Sequence, residues 1–435
     1  MFSDKISDYF EGVAAKYLSA VDAEPERSNG HEIGGLPSAG FKAYLGTPNK
    51  DEEFRFRAKQ VYISDESEAP VIDDSHVTWY DARRKQAHRS PEYRLYYYDS
   101  AVTDCISEGD FFLVAKLREG VLPSLGAELQ KELFGADSGS LLMVFTPAGS
   151  SIEHQLRAMF GLDSVGAAFS PGKLDTVSML LPLRMMLEDL GVEVEAKPAP
   201  GTDWLERLLQ TFGGKDFPTT SVFSRFARDC IAGEVSPVEA PDATLMSWME
   251  QEESLFRIYE RHIVQARLKV GFGDDGKDVD AFINFSLSVQ NRRKSRVGHA
   301  FEGHLDCLFR YHGLKFEQGR GKGKVTENNS KPDFIFPSFA AYHDQQFPVP
   351  SLMMLGAKTT CKDRWRQVLS EANRIPSKHL VTLEAAISGA QLEEMRSHHL
   401  QLVVPSPIHS TYSAEQKGHL MDIQDFIDSV RQTQK

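Results

Sequence analysis

Cysteine is scarce in this sequence, and no two cysteines lie close together in the chain. Cys105, Cys230, Cys307 and Cys361 form no Cys-x-x-Cys pair, which excludes the common zinc and dithiol motifs. Four thiols in 435 residues are also too few for a disulfide framework. We therefore expect a protein of a reducing compartment, the cytoplasm.

Long apolar runs are absent as well. No stretch approaches the roughly 18 apolar residues that a membrane-spanning helix requires, and the first residues lack the basic stretch and apolar run of a secretory signal. With 41% hydrophobic and 26% charged residues, the composition excludes collagen-like and wholly disordered chains. These features predict a soluble globular protein, and the chain length favours two domains.

The sequence also lacks an excess of basic residues. Acidic residues outnumber basic ones by 62 to 49, a net charge of −13, which by itself disfavours a nucleic-acid-binding protein. The charge is unevenly distributed, however, because acid collects in runs such as Asp51–Glu53 and Glu250–Glu253. The segment from Asn291 to Lys324 holds nine basic residues and only three acidic ones. Local charge therefore predicts a polyanion-binding segment inside an acidic chain.

The spacing of apolar residues divides the chain into two regions. Short β-prone runs dominate residues 1–190, which predicts a β-barrel or sandwich with a few helices packed on it. Residues 191–202 have the charged, proline-rich composition of a linker. In residues 203–435, helical periodicity gives way to short strands, which predicts helices flanking a mixed sheet. The predicted fold class is α/β (α+β) and multidomain.

Two helices are predicted from periodicity alone. Apolar residues recur at helical intervals between Ile6 and Val21, which predicts an amphipathic first helix. A second helix is predicted over Arg364–Arg374, and it would carry Glu371 on a face that docks against the sheet.

An aspartate and a lysine stand on two successive predicted strands. Asp333 opens the first strand, and Lys358 ends the second, on the face that it shares with Met354 and Gly356. A lysine at the end of an apolar stripe is costly unless it has a carboxylate or phosphate partner. The pair is therefore a candidate for chemistry on a phosphate ester, although such pairs also arise as ordinary surface charge.

Two glutamates complete a candidate metal site. Glu371 on its predicted helix and Glu302, one helical turn from Leu305, would join Asp333 in offering the oxygen ligands that Mg²⁺ prefers. Lys358 would then orient the attacking water or help to deprotonate it. The residues alone leave another interpretation open, in which Glu371 is a salt-bridge partner of Arg364 or Lys358.

Four segments resemble the C-terminal domain of the EcoRII-type restriction endonucleases. They are Asn291–Arg296, Lys331–Phe334, Ala341–Asp344 and Ala357–Gln367. Related enzymes share a variant of the PD-(D/E)xK nuclease core, in which the acidic residue before the lysine is missing and a glutamate on the following helix replaces it. Here Gly356 stands at that position and Glu371 is available. The resemblance therefore implies a restriction-endonuclease-like mixed sheet flanked by helices.

Residue roles follow from the resemblance, position by position. Asp333, Lys358 and Glu371 would form the Mg²⁺-dependent catalytic core with Glu302 as a supporting acid, and Tyr342 matches a tyrosine near the site. The residues expected to read a CC:GG core are Lys362, Asp363 and Arg364. The basic residues expected to bind DNA upstream are Arg292, Arg293 and Arg296.

The front half of the chain is similar to the effector-DNA-binding domain of the same family. The segments Gly30–Gly34 and Tyr80–Arg83 carry the similarity, which implies a B3-like β-pseudobarrel that binds a second copy of the recognition site and restrains the catalytic domain. The positions that match DNA-binding residues of that domain are His31, Arg83, Arg89, Glu92 and Arg94. The alternative interpretation, without DNA binding, is a basic surface loop on a β-domain.

Taken together, these features predict a cytoplasmic, Mg²⁺-dependent type II restriction endonuclease. Its partner would be double-stranded DNA carrying a short near-palindromic site, and a two-fold site favours a homodimer. Two alternatives remain open from the sequence. One is a non-catalytic B3-like DNA-binding regulator, and the other is a repair or methylation-directed nuclease with the same core.

Overall fold

The structure, a computed structural model, describes residues 5–23, 31–67, 69–86, 88–122, 139–174, 179–192, 203–361 and 364–435. These residues form two compact units. The N-terminal unit contains residues 5–192 together with Ala385–Ser388, and the C-terminal unit contains the rest of the described chain from residue 203. Residues 193–202 of the expected linker lie outside the described residues, so the domain bounds stay a prediction. None of the helices described is both long and apolar enough to cross a membrane.

The N-terminal unit is built on a mixed eight-stranded sheet. Its strands are β1 (Phe10–Tyr17), β2 (Glu32–Gly34), β3 (Phe54–Tyr62), β4 (Val71–Asp81), β5 (Tyr93–Tyr97), β6 (Phe111–Leu117), β7 (Ser140–Thr146) and β8 (Ser170–Pro171). The strand order is β2-β5-β4-β3-β7-β6-β1-β8. β3 and β7 pair in parallel, and the other neighbours are antiparallel.

One apolar core serves this whole sheet. Ile33 on β2, Trp79 on β4, Phe112 on β6 and Ala14 on β1 belong to the same buried cluster, although their strands are far apart in the sheet order. The sheet must therefore curl around the cluster, which agrees with the predicted barrel-like architecture. The helices of the unit are α1 (Ala20–Ala23), α2 (Lys42–Leu45), α3 (Ser151–Met159) and α4 (Leu181–Asp189).

The predicted first helix is wrong, because the segment forms strand β1 after a short 3-10 turn at Ile6–Asp8. β1 pairs with β6 on one side and with β8 on the other. All its residues are buried except Glu11, which is exposed, and Tyr17, which is half-buried. A strand buried on both faces loses the alternation that would identify it. Its apolar residues then mimic helical spacing, and tertiary pairing overrides that local pattern.

Four helices open the C-terminal unit. They are α5 (Trp204–Phe212), α6 (Thr220–Cys230), α7 (Pro241–Val270) and α8 (Val279–Tyr311). α5 and α6 pack on α7 through a cluster of aromatic side chains around Tyr259, and α8 packs along α7 and reaches β11, the strand that ends at Lys358. Glu302 therefore lies on a helix that contacts both the helical layer and the sheet.

A five-stranded mixed sheet forms the rest of this unit. Its strands are β9 (Glu317–Gln318), β10 (Phe334–Phe336), β11 (Met353–Lys358), β12 (Lys378–Thr382) and β13 (Leu400–Val403), in the order β13-β12-β11-β10-β9. β11, β12 and β13 are parallel, whereas β9, β10 and β11 are antiparallel. The flanking helices are α9 (Phe339–His343), α10 (Arg364–Leu369), α11 (Gly389–Ser397), α12 (Ala414–Lys417) and α13 (Ile423–Thr433). The predicted mixed α/β architecture is confirmed.

Candidate active site

Asp333 and Lys358 meet where β10 begins and β11 ends. The two strands are antiparallel, with Phe334 opposite Leu355, so the residue before β10 lies beside the last residues of β11. Asp333 Oδ2 accepts hydrogen bonds from the Lys358 ammonium at 2.8 Å and from the Ala357 N–H at 2.7 Å. Both side chains are largely buried, at 15% and 19% exposure, which strengthens the ion pair relative to one on the surface.

Gly356 has a structural reason to lack a side chain. A Cβ placed on this residue would lie 2.8 Å from Cγ2 of Val368, because α10 packs directly over β11 at this point. An acidic side chain at position 356 would therefore push the helix off the sheet. The close packing explains in physical terms why no acidic side chain stands at this position.

The sequence predicted that Glu371 lies on the helix, but the structure places it in the turn after α10. The helix ends at Leu369, and Ala372 adopts a left-handed φ of 49° that cannot continue it. Glu371 Oε2 is nevertheless buried, and it has no hydrogen-bond partner. Burial, reinforced by the negative charge of Asp333, raises the pKa of Glu371 to about 7 against the opposing charges of Lys358 and Lys378.

Glu302 enters the site from α8. Its carboxylate accepts hydrogen bonds from Arg320 at 3.1 Å and 2.6 Å. Burial, followed by the charge of Asp333, raises the pKa of Glu302 despite the neighbouring Arg320. Asp333 thus raises the pKa of both glutamates, which shows that the three carboxylates share one electrostatic neighbourhood.

The predicted ligand set is only partly assembled. Among the described residues, no three or more His, Cys, Asp or Glu side chains gather closely enough to hold a metal ion. The donor chemistry still suits a hard cation, because Glu371 presents a buried oxygen without a partner beside the carboxylate of Asp333. A cation bound between them would satisfy that oxygen and favour ionisation of Glu371.

Tyr342 contacts a different set of residues from the one that its predicted catalytic role requires. Its hydroxyl lies 2.6 Å from both carboxylate oxygens of Glu327 and accepts a hydrogen bond from the Arg374 N–H at 3.2 Å. Burial and the bond to Glu327 raise the pKa of Tyr342 to about 12. These contacts give no support to a direct role in the reaction.

Several neighbours of the site were missed in the sequence. Glu327, Lys378, Arg320 and Arg374 carry no motif of their own and come from separate loops and strands. Lys378 opens β12, its buried ammonium donates to the carbonyl of Leu369, and burial lowers its pKa while Glu371 and Glu327 oppose that change. The one available signal was the basic segment Asn291–Lys324, which includes Arg320 and was interpreted only as a polyanion-binding segment.

The predicted base-reading segment is only partly visible. Lys362 and Asp363 lie outside the described residues, so their roles stay predictions. Arg364 begins α10 and is exposed, as a residue that contacts DNA must be. Arg366, two residues later, forms an ion pair with Glu394 at 3.0 Å.

The upstream arginines occupy structural positions on α8. Arg296 is buried and pairs with Glu252 at 3.1 Å and with Glu253 on α7, so its expected DNA contact does not fit this structure. Arg293 pairs with Glu260 at 2.6 Å. Arg292 stacks on the ring of Phe217, 4.3 Å from its centroid. The acidic run Glu250–Glu253 therefore serves partly to hold α8 against α7.

Three of the five predicted effector residues, Arg83, Glu92 and Arg94, form one ion-pair network in the N-terminal unit. Arg94 on β5 pairs with Glu32 at 2.8 Å and with Glu92 at 2.7 Å, and Glu92 also pairs with Arg83 at 2.5 Å. These arginines hold the pKa of Glu92 below its usual range, although burial opposes them. Arg89 is exposed in the loop before β5, and its charge also lowers the pKa of Glu92. His31 lies 3.4 Å from Asp99 instead.

Comparison with known proteins finds similarity to type II restriction enzymes in the C-terminal unit. Residues 256–427 match the family model described as EcoRII C terminal. The chain is 46% identical over 187 residues to the type II restriction enzyme EcoRII of Escherichia coli, a match that covers 43% of this chain and 45% of that enzyme. It is 26% identical over 153 residues to the type II restriction enzyme SsoII of Shigella sonnei, covering 34% of this chain and 49% of that enzyme. The matched region thus spans about half the length of these relatives.

Two solved structures also resemble the chain. One is metal-depleted Ecl18kI in complex with uncleaved, modified DNA, with 17% identity and a TM-score of 0.42, covering 55% of this chain and 85% of that one. The other is a complex of the restriction endonuclease PspGI with substrate DNA, with 18% identity and a TM-score of 0.42, covering 54% of this chain and 97% of that one. The similarity to the EcoRII family model and enzyme covers the region in which the sequence motifs predicted it.

Proposed function

We propose that the protein is a Mg²⁺-dependent type II restriction endonuclease that hydrolyses both strands of double-stranded DNA. The proposed target is a short near-palindromic site with a CC:GG core, similar to CCWGG. The proposal starts from the similarity to the EcoRII enzyme and requires that the chemistry of the site agree with it. The cytoplasm is the expected compartment.

The observation that carries the proposal is the asymmetry of charge around Asp333. This carboxylate has a lysine at 2.8 Å, while the neighbouring Glu371 keeps one buried oxygen without a partner and a pKa of about 7. A purely structural ion pair does not need a second, unsatisfied carboxylate. A phosphodiesterase that binds a divalent cation does.

The residues divide the chemical work between them. Asp333 and Glu371, with Glu302 as a supporting acid, would hold Mg²⁺, which when bound supplies positive charge to the scissile phosphate. The Lys358 ammonium, held by Asp333, would orient the attacking water and stabilise the charge that develops on the phosphate oxygens. Burial around Glu371 excludes bulk water and strengthens each of these interactions.

Sequence recognition is assigned to Lys362, Asp363 and Arg364. Lysine and arginine donate to guanine O6 and N7 in the major groove, and aspartate accepts from cytosine N4, so the three side chains suit a CC:GG core. A near-palindromic site has two equivalent halves, which a homodimer would bind with two copies of the same segment.

The N-terminal unit is proposed as an effector-DNA-binding domain that gates the catalytic unit. Support comes from the paired arginines Arg83 and Arg94, the exposed Arg89 and the barrel-like sheet that carries them. Glu92 and His31 would contribute acceptor and donor groups at base edges, while the arginines contact phosphates. DNA bound here would have to replace carboxylates as the partners of Arg83 and Arg94.

Plasmid digestion tests the proposed activity. The full chain is incubated with plasmid DNA and Mg²⁺, and the ends of the fragments are sequenced. We expect cleavage at one short sequence with a CC:GG core. Lys358→Ala should lower the cleavage rate by about 1,000-fold or more, because it removes the positive charge beside the phosphate.

The matched control is Lys417→Ala, which removes an exposed lysine of α12 in the same unit and should cut DNA as the wild type does. Binding of a site-containing duplex in Ca²⁺, followed by fluorescence anisotropy, should be retained in Lys358→Ala. Normal cleavage by this variant would overturn the assignment. Site-specific binding by the wild type without cleavage would instead favour a DNA-binding regulator.

Truncation tests the gating role. A chain that starts near Gly201 keeps the C-terminal unit and removes the proposed effector domain. We expect its cleavage rate on single-site DNA to equal or exceed that of the full chain, provided that circular dichroism shows a folded protein. A folded but inactive truncation would contradict gating and leave the catalytic assignment to the Lys358 experiment.

A further inference from the structure

The turn that carries Glu371 is fixed by side chains from elsewhere in the chain. Three successive backbone N–H groups directly after this glutamate each donate to a different side-chain oxygen. They are Ala372 N–H to Thr326 Oγ1 at 3.3 Å, Asn373 N–H to Glu327 Oε2 at 3.1 Å and Arg374 N–H to Tyr342 Oη at 3.2 Å. We call Thr326, Glu327 and Tyr342 the amide clamp.

The amide clamp is itself held together by hydrogen bonds. The Tyr342 hydroxyl, on a nearly fully buried ring, donates to the Glu327 carboxylate at 2.6 Å while it accepts from the Arg374 N–H. Burial opposes ionisation of Glu327, but the bonds from Tyr342 and from the Asn373 N–H outweigh it and lower the pKa of this carboxyl. Glu327 is therefore charged at neutral pH, and charged acceptors make the stronger hydrogen bonds.

Arg374 fastens the far end of the same turn. Its guanidinium donates to backbone carbonyl oxygens of α9 and of the loop that follows. These contacts are Ala341 O at 3.3 Å, Asp344 O at 2.7 Å, Phe347 O at 2.5 Å and Tyr342 O. The arginine thus ties the chain after Glu371 to the residues around Tyr342.

The turn needs this support because its backbone is strained. Ala372 has a φ of 49°, a conformation that costs an alanine about 1 kcal/mol or more and persists only where surrounding contacts impose it. Glu371 has no helix to fix it, since α10 ends at Leu369. Its own N–H still donates to the Val368 carbonyl at 3.2 Å, and the three amides that follow it fix the other side of the turn.

We propose that the amide clamp positions Glu371 beside Asp333, and that Glu327 and Tyr342 are positioning residues of the candidate nuclease site. The proposal deepens the proposed function and rests on it for the role of Glu371. It also changes the role predicted for Tyr342, whose hydroxyl would act through the turn and not on the phosphate. Residues that orient metal ligands in this way commonly affect metal affinity about 10- to 100-fold.

Tyr342→Phe is the first test, because it removes one oxygen and keeps the buried ring. Binding of Mn²⁺ to the DNA-free protein is measured by isothermal titration calorimetry, and the Mg²⁺ concentration for half-maximal cleavage is measured on plasmid DNA. We expect the variant to weaken Mn²⁺ binding and to raise the Mg²⁺ requirement by about tenfold. The KM for DNA should change little, because the variant removes no proposed DNA contact.

Tyr259→Phe is the matched control. Tyr259 is also fully buried in the C-terminal unit, and its hydroxyl donates to the backbone oxygen of Asp216 at 3.0 Å, within the cluster around α7. The two variants should lose similar thermal stability, but only Tyr342→Phe should alter the two metal readouts. Equal metal behaviour in both variants would overturn the proposal.

Substitutions of Glu327 separate its acceptor role from simple packing. Glu327→Gln keeps an oxygen that can accept from Asn373 N–H and Tyr342, whereas Glu327→Ala keeps none. We expect Glu327→Ala to resemble Tyr342→Phe and Glu327→Gln to recover much of the Mn²⁺ affinity. Failure of Glu327→Gln to exceed Glu327→Ala would count against an acceptor role.

Hydrogen–deuterium exchange measures how well the amides of the turn are protected, without any enzyme assay. The amides of residues 372–374 should exchange faster in Tyr342→Phe and Glu327→Ala than in the wild type, and Tyr259→Phe should leave them unchanged. Unchanged exchange in the first two variants would overturn the amide clamp. A wild type that neither binds Mn²⁺ nor cuts DNA would overturn the proposed function, and with it the role of Glu371, even if the exchange rates moved as expected.

Discussion

Two charged clusters of this protein, one in each unit, differ in how completely their charges are paired. In the N-terminal unit, Arg94 lies between Glu32 and Glu92, and Glu92 also holds Arg83. Side chains there are about one-third exposed, and the paired charges push the pKa of Arg94 up and that of Glu92 down. Arg94 and Glu92 thus each favour the ionised state of the other.

The cluster around Asp333 behaves in the opposite way. Asp333 pairs with Lys358 and Glu302 pairs with Arg320, but the pKa of Glu371 rises to about 7 instead of falling. One buried oxygen of Glu371 has no partner at all. Such a group destabilises the unliganded fold and becomes favourable when a cation arrives.

The difference teaches how a stabilising network can be distinguished from a ligand site when both are rich in charge. A paired network is complete in the free protein, so a ligand must displace existing partners. An unpaired buried carboxylate lacks a partner until a ligand supplies one. The variants below test this contrast.

Glu371→Gln should produce the largest change. The folded pKa of about 7 lies above the ordinary value of 4.5, so the folded state holds the proton more tightly than the unfolded one. Stability is therefore lost as the pH rises from about 4.5 to 7, and the loss stays in full at pH 8. Glutamine cannot ionise, so the variant should be more stable than the wild type at pH 8, by on the order of 2 kcal/mol.

The same variant should lose cleavage by about 100-fold or more, because a metal-binding oxygen is replaced by an amide. Calorimetric unfolding temperatures at pH 5 and pH 8, with plasmid cleavage, measure both effects. Glu415→Gln, at an exposed position of α12, is the control and should change neither quantity. A variant no more stable than the wild type at pH 8 would show that Glu371 is already satisfied.

Gly356→Asp should be the next largest change, and it tests whether the missing acidic residue can be restored. The new Cβ would meet Val368 at 2.8 Å, so overpacking should cost about 1–3 kcal/mol and no additional metal site should form. The unfolding temperature measures the cost. Gly389→Asp, at an exposed position that leaves room for a Cβ, should be tolerated, and adding Val368→Ala should recover part of the loss. A stable and fully active Gly356→Asp protein would contradict this account.

Arg94→Ala should have the smallest effect. The pairs it breaks are partly exposed, so the coupling energy between Arg94 and Glu92 should be about 0.5–1 kcal/mol. A double-mutant cycle with Glu92→Ala, read from unfolding temperatures, isolates this value. A coupling near zero would show that the network is a solvated surface feature, and that the contrast between the two clusters is smaller than their geometry indicates.

The sequence predicted most of the elements that frame both clusters. The strands β3, β5, β6 and β7 follow β-prone apolar runs, and β10 and β11 follow the strands expected around Asp333 and Lys358. It failed at β1, whose burial on two faces imitates helical spacing, and at the end of α10, which stops at Leu369. It also assigned Arg296 to DNA, because a basic residue that binds Glu252 across two helices has no local mark. These failures share one cause, which is that the deciding contacts come from distant parts of the chain.

By itself the sequence determined which chemical groups are available and roughly which elements carry them: the aspartate, the lysine and the glutamate of the candidate site, and the resemblance that links them. Tertiary structure alone decided their states. The pKa of Glu371 depends on burial and on Asp333, and the position of Glu371 depends on the amide clamp. The packing of Val368 explains why only glycine fits at position 356. The protonation state, the burial and the backbone strain of a residue depend on its neighbours in space. Those neighbours are in place only once separate segments of the chain have packed together.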